Sequence, residues 1–525
     1  MLPWKSPLAT VLQFALLCYL LASLVYTTAY IVTSPAVSSV FALVGLRLTR
    51  FTSRSPSQAS PRVDLISYAQ QVFSSQGSHG EDTPGIISNL ASSQDSLYWD
   101  LPALRSLTGA LNDDAYAGAG SIQEGTLLSK AFAQALHPTE LIPFYYKATG
   151  PIDASDVTIT TLVTSNRYKV LKQLVERYQG PISVTIHIPL PPPSASVSET
   201  ATFVNAVQDL DALYASSLHF AAYVDVHLAL SPLSSAPHAS SSSTEGGRQF
   251  NVWRNVARLF ARSEFVMMLD VDFAVCTDWR SVVRNAVARA RGAAPTTVGS
   301  GHPESRSSSG KLREVQEVFQ KMREGAAALV IPVFEYTKQE DGVDQTKFPK
   351  DKESLLHLAT GRHPKLGMFH ASWSPGHNST DYPRYLSTPP NSQSLYKVTT
   401  YQSAYEPYVI MSKRVPWCDE RFTGYGGNKA ACLFEIYLSG VDFYVMADHF
   451  LIHQSHKYEE EARREERKYN RKLYTDFKEE ACLRYLYRFH AAGQLHTPLA
   501  ANAVEECKKM KGVERLATEL LGESL

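Results

Sequence analysis

The sequence carries no excess of either charge. Lys+Arg and Asp+Glu both number 51 in a chain of 525 residues, so the formal net charge is zero, and no global field draws the chain to nucleic acid or to an anionic membrane surface. Any recognition of phosphate or carboxylate has to be local. Cysteine is scarce: Cys18, Cys276, Cys418, Cys432, Cys482 and Cys507 are the full set, with no CxxC spacing among them, which excludes a zinc ribbon and a thioredoxin-type redox motif. Cys18 sits in an apolar run. The other five suit one or two disulfides in an oxidising compartment, or buried thiols. Long hydrophobic runs are equally scarce. One, from Leu8 to Val32, holds no charged residue over 25 positions; it is long enough to cross a hydrocarbon core of about 30 Å as a helix and longer than the roughly 7–15 residues of a signal-peptide core.

The chain is accordingly read as a cytosolic tail (1–7), a transmembrane anchor (8–32), a stem (33–150), a catalytic body (151–490) and a C-terminal tail (491–525). From Thr49 to Ala148 it is rich in Ser, Gly, Ala and Gln, the composition of a tether. Regular patterning starts at Val157. VTITTLV and ISVTIHI read as buried strands around a helix from Tyr168 to Tyr178, a βαβ unit. Helix Ala201 to Tyr214, strand Tyr223 to Leu230, helix Phe250 to Arg262 and strand Phe265 to Leu269 continue the alternation, which predicts an α/β fold with a mixed, largely parallel sheet. Stretches Pro191 to Glu199, Ser231 to Gly247 and Arg291 to Lys311 are Ser/Pro/Gly/Ala-rich surface insertions. Tyr458 to Tyr474, dense in charges of both signs, reads as a solvated helix.

The strongest chemical signal is Asp270-Val271-Asp272, directly after an apolar strand. At the C-terminal edge of a parallel sheet the chain turns into a ligand crevice. Two carboxylates there suit Mg²⁺ or Mn²⁺ clamping a nucleotide diphosphate. The second signal is His453, after the apolar Phe450-Leu451-Ile452, since imidazole from a distant strand end suits a borderline cation.

The chain resembles glycosyltransferase family 49, whose members include glucuronyltransferases. The matching segments run in family order from Arg254-Asn255-Val256-Ala257 and Leu269-Asp270-Val271-Asp272-Phe273 through Ile331-Pro332-Val333-Phe334-Glu335, Gly376-His377, Glu406-Pro407-Tyr408, Asp419-Glu420-Arg421-Phe422 and Gly424-Tyr425-Gly426 with Asn428-Lys429 to Leu451-Ile452-His453. The resemblance implies a GT-A-type nucleotide-sugar-binding fold, a UDP-sugar donor, Mn²⁺ (or Mg²⁺), and transfer to an oligosaccharide or glycoprotein acceptor with inversion. Asp270 and Asp272 become the metal-binding pair and His453 the third ligand, while His456 is read as a surface histidine. Arg254 and Asn255 are expected to contact the nucleotide and His377 the donor or acceptor. Glucuronate is the first donor choice, with Lys429, Arg421 and Lys352 as cations for its carboxylate. Gly427 stands where the family often has an aromatic residue and is expected to open space beside the acceptor. The region before Val157 lacks the composition of a second transferase domain, so a single-domain member is expected.

An inverting transfer needs a general base for the acceptor hydroxyl. Asp419 and Glu435 rank equally. The alternative is a catalytically inactive glycan-binding or scaffold protein that keeps the fold. For topology, Arg47, Arg50 and Arg54 favour a cytosolic body under the positive-inside rule, whereas the resemblance and the sequon Asn378-Ser379-Thr380 favour a lumenal one. The expectation adopted is a single-pass type II Golgi membrane protein with a lumenal body.

Overall fold

The computed structural model describes residues 140–191, 197–232, 248–292, 306–456 and 460–522. The expected anchor, the cytosolic tail, most of the stem and most of the three insertions lie outside the described residues. Among the described residues no helix is long and apolar enough to cross a membrane.

In chain order the first half comprises β1 (Glu140–Tyr146), β2 (Val157–Thr164), α1 (Tyr168–Tyr178), β3 (Ile182–Leu190), α2 (Val197–Ala215), α3 (Leu218–Tyr223), β4 (Val224–Pro232), α4 (Phe250–Phe260), β5 (Phe265–Met268), β6 (Phe273–Val275), α5 (Trp279–Gly292) and α6 (Arg306–Glu324). The second half comprises β7 (Ala327–Ile331), β8 (Val333–Tyr336), α7 (Lys352–Ala359), β9 (Leu366–Met368), α8 (Tyr382–Ser387), β10 (Leu395–Lys397), β11 (Tyr408–Ser412), α9 (Asn428–Leu438), β12 (Asp442–Met446), β13 (Leu451–His453), α10 (Glu460–Ala491), α11 (Ala501–Lys508) and α12 (Lys511–Leu521).

The predicted alternation is present. β4, β3, β2 and β5 lie side by side, each parallel to the next, and continue through β11, β7, β12 and β10 into a nine-stranded sheet with β1 on the far edge. β1, β11 and β10 run antiparallel to their neighbours, so the sheet is mixed, as expected. A strand buried on both faces reads as a near-continuous apolar run, and β5 does so throughout. Phe265 and Met267 enter the core under one face, while Val266 and Met268 enter the core under the other. A four-stranded sheet, β6-β13-β8-β9, begins just beyond β5.

Two boundaries differ from the sequence reading. β1 pairs with β4 although it lies in the segment read as stem. The segment read as a C-terminal tail forms α11 and α12, whose Ala503, Cys507, Val513 and Ala517 are buried in the same core as α9. Cys482–Cys507 fastens α10 to α11, and Cys418–Cys432 fastens the loop before α9 to that helix. Cys276 is a buried thiol, so two disulfides and one thiol account for the five cysteines left open above.

Candidate active site

Parallel pairing puts the C-terminal ends of β2 and β5 at one edge of the sheet. Leu269-Asp270-Val271-Asp272 leaves β5 there and runs straight into β6. Three donors converge on the Asp270 carboxylate: the Tyr408 hydroxyl at 2.6 Å, an Arg254 guanidinium nitrogen at 3.3 Å and the Lys429 ammonium at 3.4 Å. Burial alone would raise the Asp270 pKa, but Lys429, Arg254 and the Tyr408 hydrogen bond outweigh it and hold the carboxyl well below the usual carboxylate range. Asp272 has partners of its own. Arg167, at the end of the turn after β2, lies 3.3 Å from one of its oxygens, and His456 Nε2 lies 3.4 Å from the other. His456 is therefore a neighbour of the metal-motif carboxylate and not the surface histidine expected.

His453 ends β13, paired with Phe273 of β6, which carries it to the same strand end. Its imidazole is buried among Phe273, Phe369 and His456. Burial lowers its pKa to about 4 against the pull of Asp272, so the ring is neutral at neutral pH, the form that ligates metals.

Lys429 is the second residue of α9, whose eleven residues are all buried. Its Nζ lies 3.1 Å from the centre of the Tyr408 ring, a cation–π contact. Burial lowers its pKa, opposed by Asp270 and Glu406. Arg254 ties three elements together: from α4 it donates to Asn251 (3.0 Å), to Asn428 at the start of α9 (2.7 Å) and to Asp270. The turn into α9 requires glycine at Gly426, with φ +99° and a Cβ position 2.9 Å from the Arg467 backbone. Gly427 does not open space. A Cβ there would already lie 3.4 Å from the Tyr474 ring of α10, so an aromatic of this chain from elsewhere in the sequence fills the place.

Other expected residues fall in two groups. His377 is buried against Phe369 with Nδ1 unpartnered, and burial together with Lys429 and His370 lowers its pKa to about 3. It adjoins the Lys429 group. Asn255 does not: it donates to the Cys418 carbonyl and to Glu420, and accepts from the Cys418 N–H, holding the loop before α9. Neither base candidate is brought to Asp270. Asp419 is locked in a bidentate pair with Arg421, 2.7 Å at its shortest, and Glu435 accepts from Arg484 at 2.8 Å and from Tyr485. Arg421 also binds Glu480 (2.7 Å), and Lys352 is buried on the Ala447 carbonyl (2.6 Å), so of the three expected cations only Lys429 stands in this group. Arg167, Tyr408 and Glu406 belong to it without having been assigned a role. Burial raises the Glu406 pKa, with Lys429 and Arg254 opposing.

Two carboxylates and a neutral imidazole are the donor chemistry of a divalent-cation site with oxygen preference. Among the described residues, though, no three His, Cys, Asp or Glu side chains are arranged to hold a metal ion. Asp270 is engaged by Arg254, Lys429 and Tyr408 and Asp272 by Arg167 and His456, so the set fits in chemistry and those partners would have to move aside.

Residues 156–486, more than half the chain, match the family described as "Glycosyl-transferase for dystroglycan". Xylosyl- and glucuronyltransferase LARGE2 of Rattus norvegicus is 25% identical over 315 residues, covering 60% of this chain and 36% of that protein. Beta-1,4-glucuronyltransferase 1 of Homo sapiens is 26% identical over 350 residues, covering 64% and 77%. The chain thus spans about a third of the length of the LARGE relatives it matches. A solved structure of GalNAc-T7 with UDP, GalNAc and Mn²⁺ aligns at a TM-score of 0.29 and 9% identity, over 57% of this chain and 43% of that one.

Proposed function

Because the chain belongs to the family of glycosyl-transferases for dystroglycan, we propose that it is an inverting glycosyltransferase of GT-A type. It moves a sugar, glucuronate as first choice, from a UDP-sugar to an oligosaccharide or glycoprotein acceptor. The observation that carries the reading is the convergence of Lys429, Arg254 and Tyr408 on Asp270, with Asp272 and His453 beside it at one strand end. Asp270, Asp272 and His453 would hold Mn²⁺ (or Mg²⁺), whose chemistry there is to neutralise charge developing on a departing nucleoside diphosphate. Arg167 and Lys429, released from the aspartates, become free to bind diphosphate or sugar carboxylate through charge-assisted hydrogen bonds. Lys429 needs little reorganisation for this, since its helix is buried and its ammonium already rests on Tyr408.

The same proposal places the body in the Golgi lumen, anchored by residues 8–32. Two disulfides among the described residues suit an oxidising compartment, and Asn378 of the sequon is exposed.

The test is a screen of UDP-sugars for Mn²⁺-dependent hydrolysis by the full chain. Hydrolysis of UDP-glucuronate is expected. Activity only with a neutral donor such as UDP-GlcNAc or UDP-galactose would remove the glucuronate assignment, and glycan binding without Mn²⁺-dependent UDP affinity in calorimetry would leave an inactive glycan-binding protein.

A further inference from the structure

A cleft of about 900 Å³ opens beyond the far end of β6, between α1, the start of α5 and the 345–350 segment, within the size range of ligand sites. It is separate from the Asp270 group yet joined to it. Gln345 in its wall donates to Gln454 (3.0 Å), and Gln454 N–H donates to the Asp272 carbonyl (2.8 Å). Three residue steps of extended chain, roughly 10 Å, lead from Asp272 to Val275 in the wall.

Charge in this cleft is unbalanced although the whole chain is neutral. Lys169, Lys172 and Lys350 line it and make no hydrogen bond or ion pair among the described residues. Arg177 rests on carbonyl oxygens alone, those of Gln345 (2.7 Å) and Val275 (3.4 Å). The wall also holds two acids, Glu176, 3.7 Å from His219, and Asp278, which caps α5 through Ser281 N–H at 3.0 Å, and a further cation, Arg280, paired with Asp156, so cations still outnumber acids there. Two polar atoms in the wall are buried without a partner, Trp279 Nε1 and Gln173 Oε1, and Trp279 is fully buried. Both atoms are closed off from solvent behind the wall, so what the cleft presents to a ligand is its cationic rim.

We propose that this cleft binds an acidic oligosaccharide, a chain of sugars bearing carboxylates, outside the donor site. The choice of a saccharide among polyanions rests on the glycosyltransferase reading. Carboxylates would pair with the lysines through charge-assisted hydrogen bonds, so the cleft would steady an acidic glycan whose end reaches the strand edge.

The experiment uses the full chain and a fluorescent hyaluronan hexasaccharide, alternating glucuronate and N-acetylglucosamine, in anisotropy titrations. Uncharged chitohexaose and hexaglutamate peptide serve as comparison probes. Saturable binding of the hexasaccharide is expected, weakened about ten-fold by the triple variant Lys169→Ala/Lys172→Ala/Lys350→Ala, three exposed ion pairs at their usual strength, and weakened by salt. UDP-sugar hydrolysis should be unchanged in the triple variant. Equal binding by wild type and triple variant, equal affinity for hexaglutamate or chitohexaose, or displacement by UDP with Mn²⁺ would each overturn the proposal. A protein that hydrolyses UDP-sugar but ignores the hexasaccharide loses this inference alone; one that binds the hexasaccharide in the cleft but hydrolyses no UDP-sugar loses the proposed function alone.

Discussion

Tyr408→Phe isolates one atom of the site. Tyr408 is 2% exposed, and its ring packs under Lys429 and against Phe273, contacts that phenylalanine keeps. The loss is the 2.6 Å hydrogen bond to Asp270. A hydrogen bond to a charged group contributes about 1.5–3 kcal/mol. The Asp270 carboxylate is 35% exposed and retains Arg254 and Lys429, so water can replace the hydroxyl and the lower end, about 1.5 kcal/mol, is expected. The pH dependence has a definite sign. Asp270 titrates lower in the folded protein than in the unfolded chain, so its stabilisation is present above the unfolded value of about 3.9 and is lost as pH falls toward the folded one. Urea denaturation of the oxidised protein should therefore show Tyr408→Phe less stable by a constant amount between pH 6 and pH 8. The gap should narrow below about pH 4. Equal midpoints at pH 7, or a gap that stays constant down to pH 3, would refute the assignment of Tyr408 as a donor to an ionised Asp270.

Asp272→Asn should cut UDP-sugar turnover about 100-fold or more by removing one carboxylate of the donor set, while thermal midpoints stay close to wild type because its partner Arg167 is partly exposed; unchanged turnover at limiting Mn²⁺ would eliminate this carboxylate from the site. Replacing Cys418 and Cys432 together by alanine opens a loop of sequence separation 14, and about 3 kcal/mol of stability should be lost in denaturant titrations. Activity should fall more than in the corresponding Cys482/Cys507 variant, because Cys432 lies on the helix that carries Lys429. Protease added to intact microsomes should spare residues beyond the anchor until detergent is present, and complete digestion without detergent would place the body in the cytosol.

The sequence made the parallel half of the sheet legible because β5 is apolar throughout and β2 and β3 are dense in Val, Ile and Thr, the β-branched residues that suit strands, with small Thr and Ser as most of the buried polar members. It made Asp270 and Asp272 legible because they follow such a strand directly. Their partners were hidden by distance: Tyr408 is 138 positions from Asp270 and Lys429 is 159 positions away. Arg167 had a signal that went unused, since it follows β2 at the ligand-binding edge of a parallel sheet. Glu435 looked available as a base because nothing local reveals Arg484, 49 positions on, whereas Asp419 carried a local signal that went unused, its partner Arg421 standing two residues away. The helices after residue 491 escaped notice although α12 is amphipathic; α11 is short and buries Asn502 and Glu506 beside Ala503 and Cys507, which blurs its apolar stripe.

The unpaired cysteine at the end of β6 supplies a clock. Cys276 is 7% exposed and burial pushes its thiol pKa up to about 12, so at neutral pH it is almost wholly the unreactive thiol. Cys276 also lines the cationic cleft, so alkylation waits on local opening of that wall, and its rate measures how often that happens, apart from global unfolding. Followed by mass spectrometry on the peptide that contains Cys276, this labelling times the opening of the strand that links the two-aspartate turn to the cationic cleft, with no probe introduced into the chain.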